Sequence, residues 1–239
     1  MNLIFFETID STNTYAKKNI DSLADKDIVH TNHQTQGRGR FDRSWTDLGA
    51  ENIYMTIVLK PSDKMDEVYS NLTQYLSVIL CRELEELGLK PQIKWPNDVL
   101  LNGKKVCGIL AEAVFKGGNL KGIALGIGVN LNASRVDLSQ IDRPATSVNL
   151  ELWEDINRNE FMQKLLNSFF EDYEVFLEHG FSSIREEYKL HASFLNQTLK
   201  IAVFETIKEG FSKDINEHGA LVLTDKNGED HVFNMGEII

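Results

Sequence analysis

Gln34-Thr35-Gln36-Gly37-Arg38-Gly39-Arg40-Phe41-Asp42-Arg43-Ser44-Trp45 sets three arginines within six positions of a chain whose formal net charge is −11. Gly37 and Gly39 let the backbone approach a ligand closely, and Arg38, Arg40 and Arg43 offer planar forks of donors that fit phosphate and carboxylate. Trp45 adds an aromatic face. A solvated basic loop is the plain alternative on these residues alone. Two phosphate-binding patterns are excluded: a Walker A loop ends in Gly-Lys-Ser/Thr, and a dinucleotide fingerprint needs a third glycine where Asp42 stands. Three like charges so close repel one another, so the segment is expected to order when anionic groups neutralise it.

On either side of the loop the pattern is of strands and helices. Leu3 to Phe6 reads as a strand, Asp10-Ser11-Thr12-Asn13 as a cap for the helix that Tyr15 and Ala16 continue, and Ile28 to His33 as a strand entering the loop. The polar cluster at residues 10–13 can equally hydrogen-bond a buried polar ligand. His30 and His33 project to opposite faces of a strand, which argues against a metal site. Asn52 to Lys60 alternates as a strand, and the apolar spacing from Glu67 to Leu87 predicts a helix closed by Gly88. From Gln92 to Leu131 the chain reads as short strands joined by tight turns, with Asn102-Gly103 a hairpin signal. Lys94, Asn97, Asp98 and Lys105 fall at strand ends, where side chains converge, and Asn130 interrupts an apolar run and needs a partner if buried. In the back half, a long amphipathic helix is predicted over residues 160–178, stopped by Gly180, then a shorter helix opened by a capping box at Ser183 and Glu186. Short strands follow beyond Phe194, with Asn227-Gly228 as a turn.

Composition bounds these readings. A chain of 239 residues, 42% hydrophobic and 26% charged, can bury one substantial core and a small second unit. An acidic body disfavours general nucleic-acid affinity and leaves the loop for a small anion. Cys81 and Cys107 lack metal-ligand spacing and read as buried free thiols. The first residues have no basic, signal-like start, and no run approaches membrane-spanning length, so a cytoplasmic protein is expected.

Taken together, Asp10-Ser11-Thr12-Asn13, the Gly37-Arg38-Gly39-Arg40 loop with Arg43 and Trp45, Lys94-Trp95-Pro96-Asn97-Asp98, Lys105-Val106-Cys107-Gly108-Ile109-Leu110 and Gly126-Ile127-Gly128-Val129-Asn130 closely resemble the biotin protein ligases, in the family's order. Gly219 to Leu223 and Gly236-Glu237-Ile238 resemble their C-terminal domain. Gln36 stands where that family often has a small residue. The resemblance implies an α+β fold: a mixed sheet packed on helices, of the class II aminoacyl-tRNA synthetase kind, over residues 1–192, then a small SH3-like barrel over 193–239. It implies activation of biotin by ATP to biotinyl-5′-adenylate, then transfer to a lysine of a biotin carboxyl carrier protein of acetyl-CoA carboxylase or a similar enzyme. The catalytic residues would be Lys105, Arg38 and Arg40. Biotin would meet Ser11, Thr12, Asn13, Gln34, Gly37, Arg38, Gly39, Arg40, Lys105 and Gly108. The nucleotide would meet Arg40, Arg43, Trp45, Lys94, Asn97, Asp98, Ile109 and Asn130, with Mg²⁺ accompanying ATP near Asp98. With the motif starting at Asp10, no DNA-binding unit and no membrane contact is expected, and either a monomer or a homodimer fits. Lipoate and octanoate ligases of the same fold are the alternative. An arginine-glycine RNA element is disfavoured by the acidic chain.

Overall fold

The protein is described by a computed structural model covering residues 1–41, 43–62 and 68–239; Asp42 in the loop and Glu67 at the start of the expected front helix lie outside the described residues. The main sheet has seven strands: β1 (Leu3–Ile9), β2 (Ile28–Gln34), β3 (Ile53–Leu59), β4 (Pro91–Lys94), β5 (Asp98–Leu101), β6 (Lys104–Lys116) and β7 (Asn119–Val129). Their order is β1-β2-β3-β7-β6-β5-β4, with β1 parallel to β2 and every other pair antiparallel. β3 is buried along its whole length because it sits inside the sheet with both faces covered. Asn102 and Gly103, with φ of 50° and 73°, form the two-residue turn that joins β5 to β6.

The two faces of this sheet are unequal. Ile53, Met55 and Ile57 point to one side, where α2 (Leu72–Glu86), α5 (Arg158–Glu171), α6 (Tyr173–His179) and α7 (Arg185–His191) pack on them. Between α2 and α6 the ring of Tyr75 stacks on Phe176, centroids 4.4 Å apart and 15° from parallel, and its hydroxyl donates to the carbonyl of Phe169 at 2.5 Å. On the opposite face α1 (Thr12–Lys18) seals its own end of the sheet through Ala16, with Ile20 just beyond, against Val29, Val58 and Ala124. The remainder of that face is left for the site. Short helices α3 (Arg135–Leu138) and α4 (Val148–Leu152) flank the segment that crosses it.

A second, smaller sheet contains β8 (Thr198–Val203), β9 (Thr206–Ile215), β10 (Leu221–Thr224), β11 (Asp230–Phe233) and β12 (Glu237–Ile238), all antiparallel, in the order β11-β10-β9-β8-β12. The arrangement is consistent with an SH3-like domain, but among the described residues the expected barrel is not closed: β11 and β12 are the edges, each paired on one side and not with each other. Strands of four and two residues are short for the tilt and stagger that closure demands. Ile201, Ile215, Leu221, Leu223 and Ile238 join the same apolar core as α2 and the main sheet. At the junction Gly219 approaches α2 so closely that a Cβ would stand 2.5 Å from Asn71 and Gln74 side-chain atoms, and its carbonyl accepts from Gln74 Nε2 (2.8 Å) and Trp95 Nε1 (3.2 Å).

Two local expectations change. The helix predicted over 160–178 is broken at Asp172, which leaves helical geometry (φ −98°, ψ 0°) while its carboxylate accepts from Arg82 of α2 at 2.5 Å. The Ser183 capping box does not form, because that hydroxyl donates instead to the carbonyl of Gly180 (2.7 Å) and α7 starts from Ile184. Among the described residues no helix is long and apolar enough to cross a membrane.

The Tyr75–Phe176 stack is the centre of the helical layer, and Phe176→Ala removes a fully buried ring between elements that cannot collapse together. We expect a loss of about 3–5 kcal/mol in unfolding free energy, read from urea denaturation as a lower midpoint at unchanged slope.

Candidate active site

Three glycines on the open face make the floor. Gly108 of β6 is the register partner of Gly128 of β7, and Gly126 lies two residues along the same face. A Cβ at Gly126 would fall 2.2 Å from Asn13 Oδ1, one at Gly128 2.5 Å from the Trp45 indole, and one at Gly108 2.7 Å from the same ring. Side chains there would fill the site, so the glycines are required by close approach.

Above this floor lies a cavity of about 360 Å³. Its wall includes Ser11, Thr12, Asn13, Gln34, Arg38, Gly39, Arg40, Arg43, Trp45, Lys94, Asn97, Asp98, Lys105, Gly108, Ile109 and Asn130. Of the residues that the sequence singles out, Gly37 is off this wall. It stands at the neck of the loop, its carbonyl accepting from Trp45 N (2.9 Å), where a Cβ would strike the Trp45 carbonyl at 2.5 Å.

At one end of the cavity the walls are polar and buried. Gln34 Oε1 accepts from Thr12 N (2.9 Å) and Thr12 Oγ1 (3.2 Å); Thr56 Oγ1 lies 2.8 Å from Thr12 Oγ1 and 2.6 Å from Asn13 Oδ1. The three contacts made by the two hydroxyls need three protons, and two hydroxyls supply two. A ligand N–H reaching Asn13 Oδ1 completes the set. With Gln34 Oε1 turned to Thr12, its Nε2 remains as a donor.

In the middle, Lys105 Nζ pairs with Asp98 Oδ1 at 2.7 Å and lies 5.4 Å from the centre of the Trp45 ring. The backbone of Lys105 is pinned from above, its N donating to Pro144 O and its O accepting from Thr146 N, both at 2.9 Å. The segment 140–145 thereby becomes part of the cavity wall. Asn97, in the turn after β4, bonds its Nδ2 to Ile109 O (2.7 Å) and accepts at Oδ1 from Arg40 (2.9 Å). Asn130 finds its partner in Thr146 O, 3.0 Å from its Nδ2. The Trp45 indole Nε1 is buried with no hydrogen-bond partner among the described residues.

Each of the three arginines has a separate partner among the described residues. Arg38 faces Glu112 at 3.5 Å; Arg43 forms a fork with Glu237 (2.7 and 2.6 Å); Arg40 is held between Asn97 and the carbonyl of Gly236 (2.8 Å), its guanidinium 4.7 Å from the Phe41 ring centre. Burial pushes the Arg40 guanidinium down from its ordinary range, opposed by the charges of Asp98 and Glu237. Arg143 also reaches Glu237, at 2.8 Å. The hydrogen bond from Arg43, stronger than the opposing effect of burial and joined by that from Arg143, holds the Glu237 carboxyl down at about 2. Burial pushes the Glu112 carboxyl up, but hydrogen bonds from Lys17 (2.6 Å) and Asn13 (3.1 Å) outweigh it, and its range is lowered. Cys107 is fully buried, its thiol pushed well up by desolvation, so it is not a nucleophile.

Sequence reasoning missed Thr56, Glu112, Arg143 and the segment 140–145, and placed Glu237 in a C-terminal motif without bringing it to the cavity. Glu112 was visible as a lone acid in the apolar run of β6; the others carry no local signal.

The sequence profile of the biotin/lipoate A/B protein ligase family matches residues 5–130, more than half of the chain. The chain belongs to that family. It is 32% identical over 221 residues to the biotin--[acetyl-CoA-carboxylase] ligase of Paracoccus denitrificans, covering 90% of each chain. It is 28% identical over 235 residues to the bifunctional ligase/repressor BirA of Bacillus subtilis, covering 97% of this chain and 72% of that one. The biotin protein ligase of Aquifex aeolicus in complex with biotin and ATP superposes with a TM-score of 0.82 at 25% identity, over 100% of this chain and 97% of that one.

Glu237 ties the second sheet to the loop of this family member, and its titration gives the tie a pH signature. Its folded value is depressed from 4.5 to about 2, so its contribution to stability is full above 4.5 and is lost as pH falls through about 2. Glu237→Gln is expected to melt below the parent at pH 7, with the difference in melting temperature shrinking between pH 4.5 and 2. A constant difference across that range would remove Glu237 from the acid response.

Proposed function

We propose that this protein is a biotin protein ligase that activates biotin with ATP to biotinyl-5′-adenylate, releasing pyrophosphate, and transfers biotin to a lysine of a biotin carboxyl carrier protein, as of acetyl-CoA carboxylase. The observation that carries this reading is one cavity with a buried network, one proton short, at its end and a lysine and arginines at its middle. A ureido ring offers two N–H donors and one carbonyl acceptor, complementary to Asn13 Oδ1 on one side and to Ser11 and Gln34 Nε2 on the other. A carboxylate at the far end of the same ligand then falls among Arg38, Arg40 and Lys105. Adenylation brings a carboxylate oxygen to an α-phosphate, two anions that repel in water, and prearranged cations in a cavity offset that repulsion without reorganising. We assign Lys105 to the charge that grows between them, Arg38 to the biotin carboxylate and Arg40 to the phosphates. Asp98 orients Lys105. Trp45, Ile109 and Asn130 enclose the base, and Arg43, Lys94 and Asn97 complete the nucleotide side.

Mg²⁺ fits this chemistry as a hard ion carried on ATP phosphates and water. Among the described residues the cavity has no cluster of three carboxylate, histidine or thiolate ligands; the single such group is Asp225, Glu229 and His231, away on the second sheet. Of the carboxylates on the cavity wall we assign Asp98, beside Lys105, to meet the ion, which would lessen charge on the phosphates. We place the boundary between the catalytic unit and the SH3-like unit at residues 192 and 193. No DNA contact is assigned to these residues, whose charge of −11 repels a phosphate backbone. Buried free thiols suit a reducing cytoplasm.

The test is pyrophosphate release from ATP with biotin, lipoate or octanoate supplied in turn. Release with biotin and not with the others is expected, and release with lipoate alone would overturn the assignment. In the same assay Lys105→Ala is expected to cut adenylation by on the order of 10²-fold or more, the scale of one prearranged electrostatic donor, with an unchanged melting curve.

A further inference from the structure

We propose that Glu112 is a positioning residue for biotin recognition: through Asn13 it sets the direction in which the hydrogen bonds of the polar pocket run. The inference rests on the biotin ligase reading of the cavity. An asparagine amide has nearly the same shape in its two orientations, which differ only in exchanging an acceptor for two donors. Neighbours that can only accept therefore decide which is adopted. Asn13 Nδ2 faces two of these, Leu110 O at 3.2 Å and Glu112 Oε2 at 3.1 Å. On the oxygen side stands Thr56, whose hydroxyl donates or accepts with equal ease and so does not discriminate.

Glu112 is the stronger of the two deciding groups because its bond to Asn13 is charge-assisted. Its charge is kept by Lys17 Nζ at 2.6 Å from Oε1, with Arg38 on the same oxygen at 3.5 Å. Helix α1 thus supplies both the amide that meets the ligand and the lysine that maintains the carboxylate orienting it. The consequence falls on the ligand. Asn13 Oδ1 occupies the space above Gly126, 2.2 Å from where a Cβ would stand, and it is the acceptor left short of a proton when Thr56 donates to Thr12. With the amide reversed, two N–H groups would face a ureido N–H, donor against donor. A pocket so reversed loses affinity for biotin while the nucleotide and Lys105 remain in place.

The experiment measures biotin-dependent pyrophosphate release by Glu112→Ala, Asn13→Ala, the double variant and Glu112→Gln. Glu112→Ala is expected to raise the KM for biotin about tenfold or more, with kcat and the KM for ATP within about twofold of the parent, the mark of lost ligand binding rather than lost chemistry. In the Asn13→Ala background the same substitution is expected to add less than about twofold, because the residue it acts through is gone. Glu112→Gln keeps the side-chain shape but has one carbonyl oxygen, for which Lys17 and Asn13 compete. It is expected to raise the biotin KM by a smaller factor, and it serves as the test if the alanine variant does not fold. An unchanged biotin KM, a fall in kcat matching the rise in KM, or an effect of full size in the Asn13→Ala background overturns the assignment. A parent enzyme that releases no pyrophosphate with biotin overturns the ligase reading itself, an outcome separate from a normal parent with an indifferent Glu112.

Discussion

An anion site built from arginines must keep those arginines apart until the anion arrives, and the molecule meets that constraint with two outlying carboxylates. Glu112 of β6 and Glu237 of β12 face the two outer guanidiniums, Arg38 and Arg43, leaving Arg40 between them held by an amide oxygen and a backbone carbonyl. A partly buried cation whose hydrogen-bond partners among the described residues are neutral loses solvation on folding, and attraction to Asp98 and Glu237 offsets part of that cost. Arg40 is consequently the group with most to gain from a phosphate. The outer pairs spread three charges over one loop, and the pair of Glu237 with Arg43 adds stability as well, as the depressed range of its carboxyl requires.

This arrangement makes the second sheet part of the site. Gly236 and Glu237 lie on the far side of the molecule in sequence, yet they supply the carbonyl on Arg40 and the carboxylate on Arg43 and Arg143. The contact is steady because the two sheets share one apolar core and because Gly219 is seated on Asn71, Gln74 and Trp95. Trp95 belongs to the Lys94-to-Asp98 motif, so the same five residues that carry Asn97 and Asp98 into the cavity also anchor the small sheet to the large one.

How much of this could be read from the chain depends on the range of the interaction. Strand and helix positions were legible wherever a local pattern decides them: β3, α2 and the Asn102-Gly103 turn lie within a few residues of expectation. The helix over 160–178 was misread because Asp172 leaves it for Arg82, 90 positions away, and Ser183 because its hydroxyl had a nearer acceptor in Gly180. The residues that line the cavity were legible as motifs, since cationic, amide and glycine residues gathered at strand ends have few other uses together. Their partners were not. Glu237 is one acid among many until β12 is laid beside β8, and Thr56 is an ordinary strand threonine until α1 places Thr12 and Asn13 above it. Gly37, a motif glycine, stands at the neck of the loop against the Trp45 carbonyl and off the cavity wall.

The glycine floor and the short helix α1 are two parts of one solution. A seven-stranded sheet needs both faces covered, and α1, with seven residues, covers only the end where Val29, Val58 and Ala124 project. Over the rest, β6 and β7 present glycines where other sheets present side chains, so the covering layer descends to the backbone itself: Asn13, the Trp45 indole and the Lys105 side chain. None of these closes the gap fully. Among the described residues Trp45 Nε1 has no acceptor, and the Thr12–Thr56–Asn13 network is left one proton short. A ligand that supplies an N–H to Asn13 Oδ1 completes the network that the cavity leaves one proton short. Strands rich in isoleucine and valine on the opposite face keep the floor rigid despite the weak strand preference of glycine. Selectivity and rigidity are therefore assigned to the two faces of the same strands, one bare and one fully packed.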